Sequence, residues 1–189
     1  MAELIDVIRA AIDSEDPISR QQVREWIESV DSVEVDALLY GLTRDAWNRI
    51  EPHLESGETC AFILRYFLRC IREDPSGGVA LSRYDAAGEL ERWFDYLAER
   101  DDARDILQGV VTEVTNLFLT SDDKIRGAIE TGFLEHVLEQ RQLRHFFSHW
   151  AYEERMQDAW RHALEWGDAH PNWMKGLRGH LRAAQSEEE

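Results

Sequence analysis

Residues 143–150 read LRHFFSHW, two histidines four positions apart among three aromatics. On one α-helix, imidazoles at that spacing share a side and can hold a metal ion between them. A catalytic zinc needs a third protein ligand, and the Glu that follows the first His in the zinc-protease motif is replaced here by Phe146. Angle argues against the site as well. With Leu143 at zero and about 100° per residue, Phe146, Phe147 and Trp150 fall at about −60°, +40° and −20°, whereas His145 and His149 fall at about 200° and 240°. The aromatics are therefore expected to anchor the helix to a core. His145 and His149 are expected on the outward side with Arg141, Arg144 and Ser148. A metal-dependent enzyme using His145, His149 and a carboxylate such as Glu153 is the alternative.

Carboxylates form a second pattern. Glu91, Asp95 and Glu99 recur every four residues, and Asp101, Asp102 and Asp105 follow where the next helix should start. Like charges one helical turn apart cost a few tenths of a kcal/mol each, so a face that keeps them is suited to a cationic partner. Ordinary solvation and the preference of Asp for a helix start explain the same residues without a partner. Glu91, Asp95, Glu99, Asp102 and Asp105 are the candidate protein-binding set. Trp150, Trp160, Trp166 and Trp173 crowd the C-terminal quarter, and Trp166 lies off the stripe made by Trp160, Ala163 and Leu164, as an interface aromatic would.

The other chemistries lack their residues. His53, His136, His162, His170 and His180 have no site-forming spacing, and there is no Gly-x-Ser-x-Gly elbow, phosphate-binding glycine loop or Cys-x-x-Cys. Cys60 and Cys70, ten residues apart on one helix, would be separated by about 15 Å, against the roughly 5.5 Å of a disulfide. Reduced thiols are expected. No catalytic residue, cofactor or metal ligand is assigned.

The elements that must position these groups are helices. Apolar residues recur at three and four almost throughout, with no sustained alternation and no Asn-Gly or Asp-Gly turn, so the chain is expected to be all-α. About ten helical pieces follow. The first spans 2–13, and the second starts at Ser19 with Gln22 closing a capping box. A third runs from Ser32 to Gly41, and a fourth starts at Thr43 and is broken or kinked at Pro52. ETCAFILRYFLRCIRE is the core helix, and DPSGGVA at 74–80 is the clearest loop. Helices then start at Ser82, near 102, at Ser121, at 141 and at 153. One domain over 1–184 is expected, with a possible division near 74–80 and an acidic tail at 185–189. An offset of 39 residues matches Ser82, Gly88, Glu91 and Phe94 to Ser121, Gly127, Glu130 and Phe133. That period suits stacked HEAT-like helix pairs, against an irregular bundle of eight to ten helices.

The stretches FILRYFLRCIRE, SRYDAAGELERWFDYL, GFLEHVLEQ, LRHFFSHW and HALEWGDAH resemble an uncharacterised all-helical family of bacterial proteins from GC-rich genomes. The resemblance covers roughly residues 58–170. It implies a soluble, helical bacterial protein and carries no activity with it.

Charge narrows the partner. Thirty-eight acidic against 21 basic residues leave a net charge of −17, whose field repels phosphate backbones and anionic membranes. Among the basic residues only Lys124 and Lys175 are lysines, a bias read as that of a GC-rich coding sequence. No leader and no stretch of about 18 apolar residues is evident, so a cytoplasmic location is expected. The expected function is a non-enzymatic module that binds a basic protein, as an immunity-type inhibitor or an adaptor in a bacterial toxin or defence system. The HEAT-like scaffold is the structural alternative.

Overall fold

The three- and four-residue apolar spacing becomes nine α-helices among the described residues, and the fold is all-α. The computed structural model describes residues 2–14, 16–29, 32–45, 47–51, 56–75 and 78–171. The expected features at Pro52 and His53, Trp173, His180 and the acidic tail lie outside them. The chain divides into two compact units, Met1–Ala86 and Ala87–Glu189.

In the first unit, α1 (Ala2–Asp13), α2 (Arg20–Ser29), α3 (Val33–Asp45) and α4 (Ser56–Glu73) bury one apolar cluster. Ile8, Val23, Trp26, Leu39, Leu42 and Phe62 are its members, with Ile18 and Ile50. The last two face each other across a two-residue parallel bridge, β1 (Ile18–Ser19) to β2 (Ile50–Glu51). α2 starts directly after Ser19, with Ile18 and Val23 both buried. The break expected between Gly41 and Thr43 does not occur. α3 runs through it because Leu39 and Leu42 continue the buried stripe and Gly41 keeps a negative φ. Glycine ends a helix when it adopts the left-handed conformation; here it does not.

Arginines close several helix ends. Arg49 donates to the carbonyls of Ala11 (2.6 Å), Ile12 (2.8 Å) and Asp16 (3.1 Å) at the end of α1. Arg83 donates to the Ile71 carbonyl (2.7 Å) at the end of α4, and the Leu81 N–H donates to the Tyr66 hydroxyl at 3.2 Å. Asp36 is buried on α3 and accepts from Arg65 (3.2 Å) and Arg69 (3.0 Å) of α4. Cys60 and Cys70 are free thiols, and burial pushes the Cys70 thiol up to about 11, so it stays protonated and inert at neutral pH.

Ala86 and Ala87, where the units meet in sequence, lie inside α5 (Arg83–Ala98), beyond the 74–80 loop. Ser82 and Asp85 make the expected N-terminal cap, the hydroxyl donating to the carboxylate at 2.6 Å. The second unit continues through α6 (Arg104–Thr120), α7 (Asp123–Ile129) and α8 (Glu135–Leu138), the last two joined by a π-helical turn, Glu130–Leu134. A 3-10 helix, Arg141–Tyr152, and α9 (Gln157–Ala169) complete it. Its core is aromatic: Phe94, Phe133 and Phe147 meet pairwise with centroids 5.6–5.8 Å apart, and Trp150 packs on Phe118 at 4.8 Å. Phe94 and Phe133 are one of the pairs matched by the 39-residue offset. α9 lies so close on α8 that a Cβ at Gly167 would stand 2.6 Å from the Leu138 carbonyl oxygen.

Candidate protein-binding surface

The structure separates the five candidate carboxylates. Glu91 is 0% exposed and Asp95 8%, whereas Glu99, Asp102 and Asp105 are exposed. Glu91 and Asp95 are therefore not part of an outer face. They share the core side of α5 with Leu90, Phe94 and Leu97, and Asp95 accepts a hydrogen bond from the Gln140 amide at 2.8 Å. A four-residue spacing shows only that residues share a side of a helix; here that side is the inner one.

What remains outside is the turn from α5 to α6. Glu99, Asp101, Asp102 and Asp105 are exposed there beside Tyr96, which is 54% exposed. Arg100 already engages part of this group. Its guanidinium forks onto Asp102 (3.0 and 2.8 Å), donates to the Tyr96 hydroxyl (3.3 Å) and lies 5.9 Å from the Tyr96 ring centroid. Those hydrogen bonds hold the Asp102 carboxyl below the usual carboxylate range. A second group has the same composition: Tyr152 is 90% exposed, with Glu153 and Glu154 exposed after it. Neither tyrosine was singled out by spacing. Each stands two residues beyond a buried aromatic, Phe94 or Trp150, and two residues of helical rotation turn a side chain about 200–240° away from the core.

The histidine motif is divided by its helix type. Leu143, Phe147 and Trp150 are buried and Phe146 half-buried, while His145 and His149 are exposed. The segment, however, is 3-10 and not α. With three residues per turn, positions four apart point about 120° away from each other, so the imidazoles are not stacked as a metal pair requires. His145 donates from Nδ1 to the Gln142 carbonyl at 2.8 Å and lies tilted against Phe146, centroids 4.1 Å apart. His149 leans towards α6, its Nε2 3.5 Å from the Thr115 hydroxyl that also accepts from Trp150 Nε1 at 2.9 Å. Among the described residues no group of three His, Cys, Asp or Glu is arranged to hold a metal ion.

His145 and Asp105, from the two separate patterns, do meet. They line a cleft of about 450 Å³ with Arg100, Arg104, Gln108 and Phe146. Its described lining offers charge and hydrogen bonds, which suit a polar group. Trp166 is used internally: its Nε1 donates to Glu139 at 3.4 Å, and its ring stacks on His170 at 3.9 Å. Glu139 is buried and also accepts from His136 at 2.7 Å.

No described helix is long and apolar enough to cross a membrane. No family model, curated protein or solved structure matches this chain.

Proposed function

We propose that the chain is an acidic, non-enzymatic module that captures a basic protein, in the manner of an immunity-type inhibitor or an adaptor of a bacterial toxin or defence system. The observation that carries this reading is the pairing of an exposed tyrosine with exposed carboxylates, at Tyr96 with Glu99, Asp101 and Asp102, and again at Tyr152 with Glu153 and Glu154. Tyrosine supplies contact area at low entropic cost, and a ring beside carboxylates suits a lysine or arginine through cation–π and ionic contacts together. Arg100 occupies Tyr96 and Asp102 as a partner's arginine would. The net charge of −17 adds long-range attraction, which raises the rate of encounter with a cationic surface.

The test is capture from a bacterial lysate at low and high salt, comparing the wild type with Tyr152→Ala and with the triple variant Glu99→Lys, Asp102→Lys, Asp105→Lys. A basic protein held at low salt, released at high salt and lost by the variants is the expected result. Equal retention of the same protein by all three chains would remove this surface from the reading.

A further inference from the structure

The first unit carries a half-open pocket of about 300 Å³ beside α3, lined by Leu38, Tyr40, Gly41, Leu42 and Arg44 of that helix and by Tyr66 of α4. Tyr40 and Tyr66 stack with centroids 5.1 Å apart, and Phe67 backs Tyr40 edge-on at 5.2 Å. The Tyr66 hydroxyl accepts from the Leu81 N–H, and the wall is mostly ring surface and hydrocarbon. A concave, mostly apolar lining with one charged group at its side is the usual make-up of a small-molecule pocket.

Gly41 is the telling residue. It lies within α3, where glycine costs roughly 0.5–1 kcal/mol relative to alanine. Neither usual reason for that cost applies. Its φ is not positive, and a Cβ built there would meet nothing within 4 Å. The missing side chain leaves open space at Gly41, which lines the pocket. One turn onward, the exposed Arg44 places its guanidinium 5.8 Å from the Tyr40 ring centroid, a cation at the mouth of an apolar space in an acidic chain.

We propose that this pocket binds a small amphipathic carboxylic acid, its apolar body against Tyr40, Tyr66 and the open face of Gly41, its carboxylate held at Arg44. The volume admits one ring or a short chain and excludes a peptide helix, which is itself about 10 Å across. Arginine meets a carboxylate through two parallel N–H donors, a charge-assisted contact that a neutral amide cannot reproduce.

Phenylacetate and its uncharged isostere phenylacetamide are titrated into the full-length protein, followed by the backbone amide resonances of Ala37, Gly41 and Leu42. Saturable binding of phenylacetate, roughly tenfold tighter than the amide (about 1.4 kcal/mol), is expected. Arg44→Gln should make the two probes equal. Gly41→Leu, which fills the pocket, should abolish both without lowering the melting midpoint. If Gly41→Leu does not fold, Gly41→Ala serves: its midpoint should rise while phenylacetate affinity falls severalfold. No saturable response at millimolar probe, equal affinity for the two probes in the wild type, or unchanged affinity in the foldable Gly41 variant overturns the proposal.

Discussion

Asp95 and Gln140 are 45 residues apart and share a buried hydrogen bond, a fact that local spacing cannot reveal. A carboxylate read by itself is assigned to solvent, because burying it without a partner costs several kcal/mol. The partner of Asp95 sits on a distant element, so spacing alone places Asp95 and Glu91 on one face with Glu99, and the structure buries the first two and exposes the third. Burial, which spacing does not report, sets the ionisation of Glu135. Burial lifts its carboxyl above the ordinary glutamate range, aided by Glu130 and Glu139 and opposed by His136 and His170. With the folded value above the unfolded one, the folded protein binds the extra proton, and stability falls as pH rises through the window between the two. Glu135→Gln has no proton to lose. Its melting midpoint should exceed that of the wild type at pH ~7, and the gap should close as pH is lowered past about 4.3, the unperturbed glutamate value. A constant gap across that range would mean that packing of the amide, and not ionisation, sets the difference.

Helices were legible as elements and less so as types. The apolar stripe of LRHFFSHW was identified from angle alone, yet the segment is a 12-residue 3-10 helix. An α-helix would gather Leu143, Phe147 and Trp150 within about 60°, whereas three residues per turn put Phe147 and Trp150 on one row and Leu143, Phe146 and His149 on the next, and the core covers Leu143, Phe147 and Trp150 while leaving His149 exposed. The π turn at Glu130–Leu134 falls within the helix expected to start at Ser121, and nothing in the apolar spacing marks it. Whatever the origin of the arginine bias, the structure gives many arginines one task. Arg49, Arg83, Arg126, Arg144 and Arg155 each donate to carbonyls at a helix C-terminal end. Four orphan carbonyls end every helix, and a forked cation satisfies several while meeting the negative end of the dipole. Arg49 closes α1 and reaches the Asp16 carbonyl beyond it. Arg49→Ala should therefore cost roughly 1.5–3 kcal/mol in urea unfolding, the range for hydrogen bonds to a charged group. Arg49→Lys keeps the charge and loses the fork, and should recover less than half. Full recovery by lysine would show that charge alone closes the helix.

At the scale of the molecule, composition fixes the sign of the field but not where it is displayed. Thirty-eight acidic residues were countable; that some of them line the core was not. Nor was the boundary of the units legible. The glycine-bearing 74–80 loop marks where the chain can turn, yet Arg83 and Leu81 bind the start of α5 to α4, and the division falls at Ala86. Loop composition reports backbone freedom, whereas a unit boundary reports where buried contacts thin out. The net charge itself has a consequence of opposite sign for folding and for capture. Going from about 0.01 M to 0.1 M salt shortens the screening length from about 30 Å to about 10 Å. Self-repulsion among like charges then weakens, so the melting midpoint of the isolated protein should rise over that range. Association with a basic partner depends on the same unscreened field, and its rate should fall over that range. Ion pairs such as Arg69 with Asp36 and Glu73 act against the first effect. A midpoint that falls with salt would mean that such pairs outweigh the surplus of carboxylates, and the acidic field would then be too well neutralised locally to steer a partner.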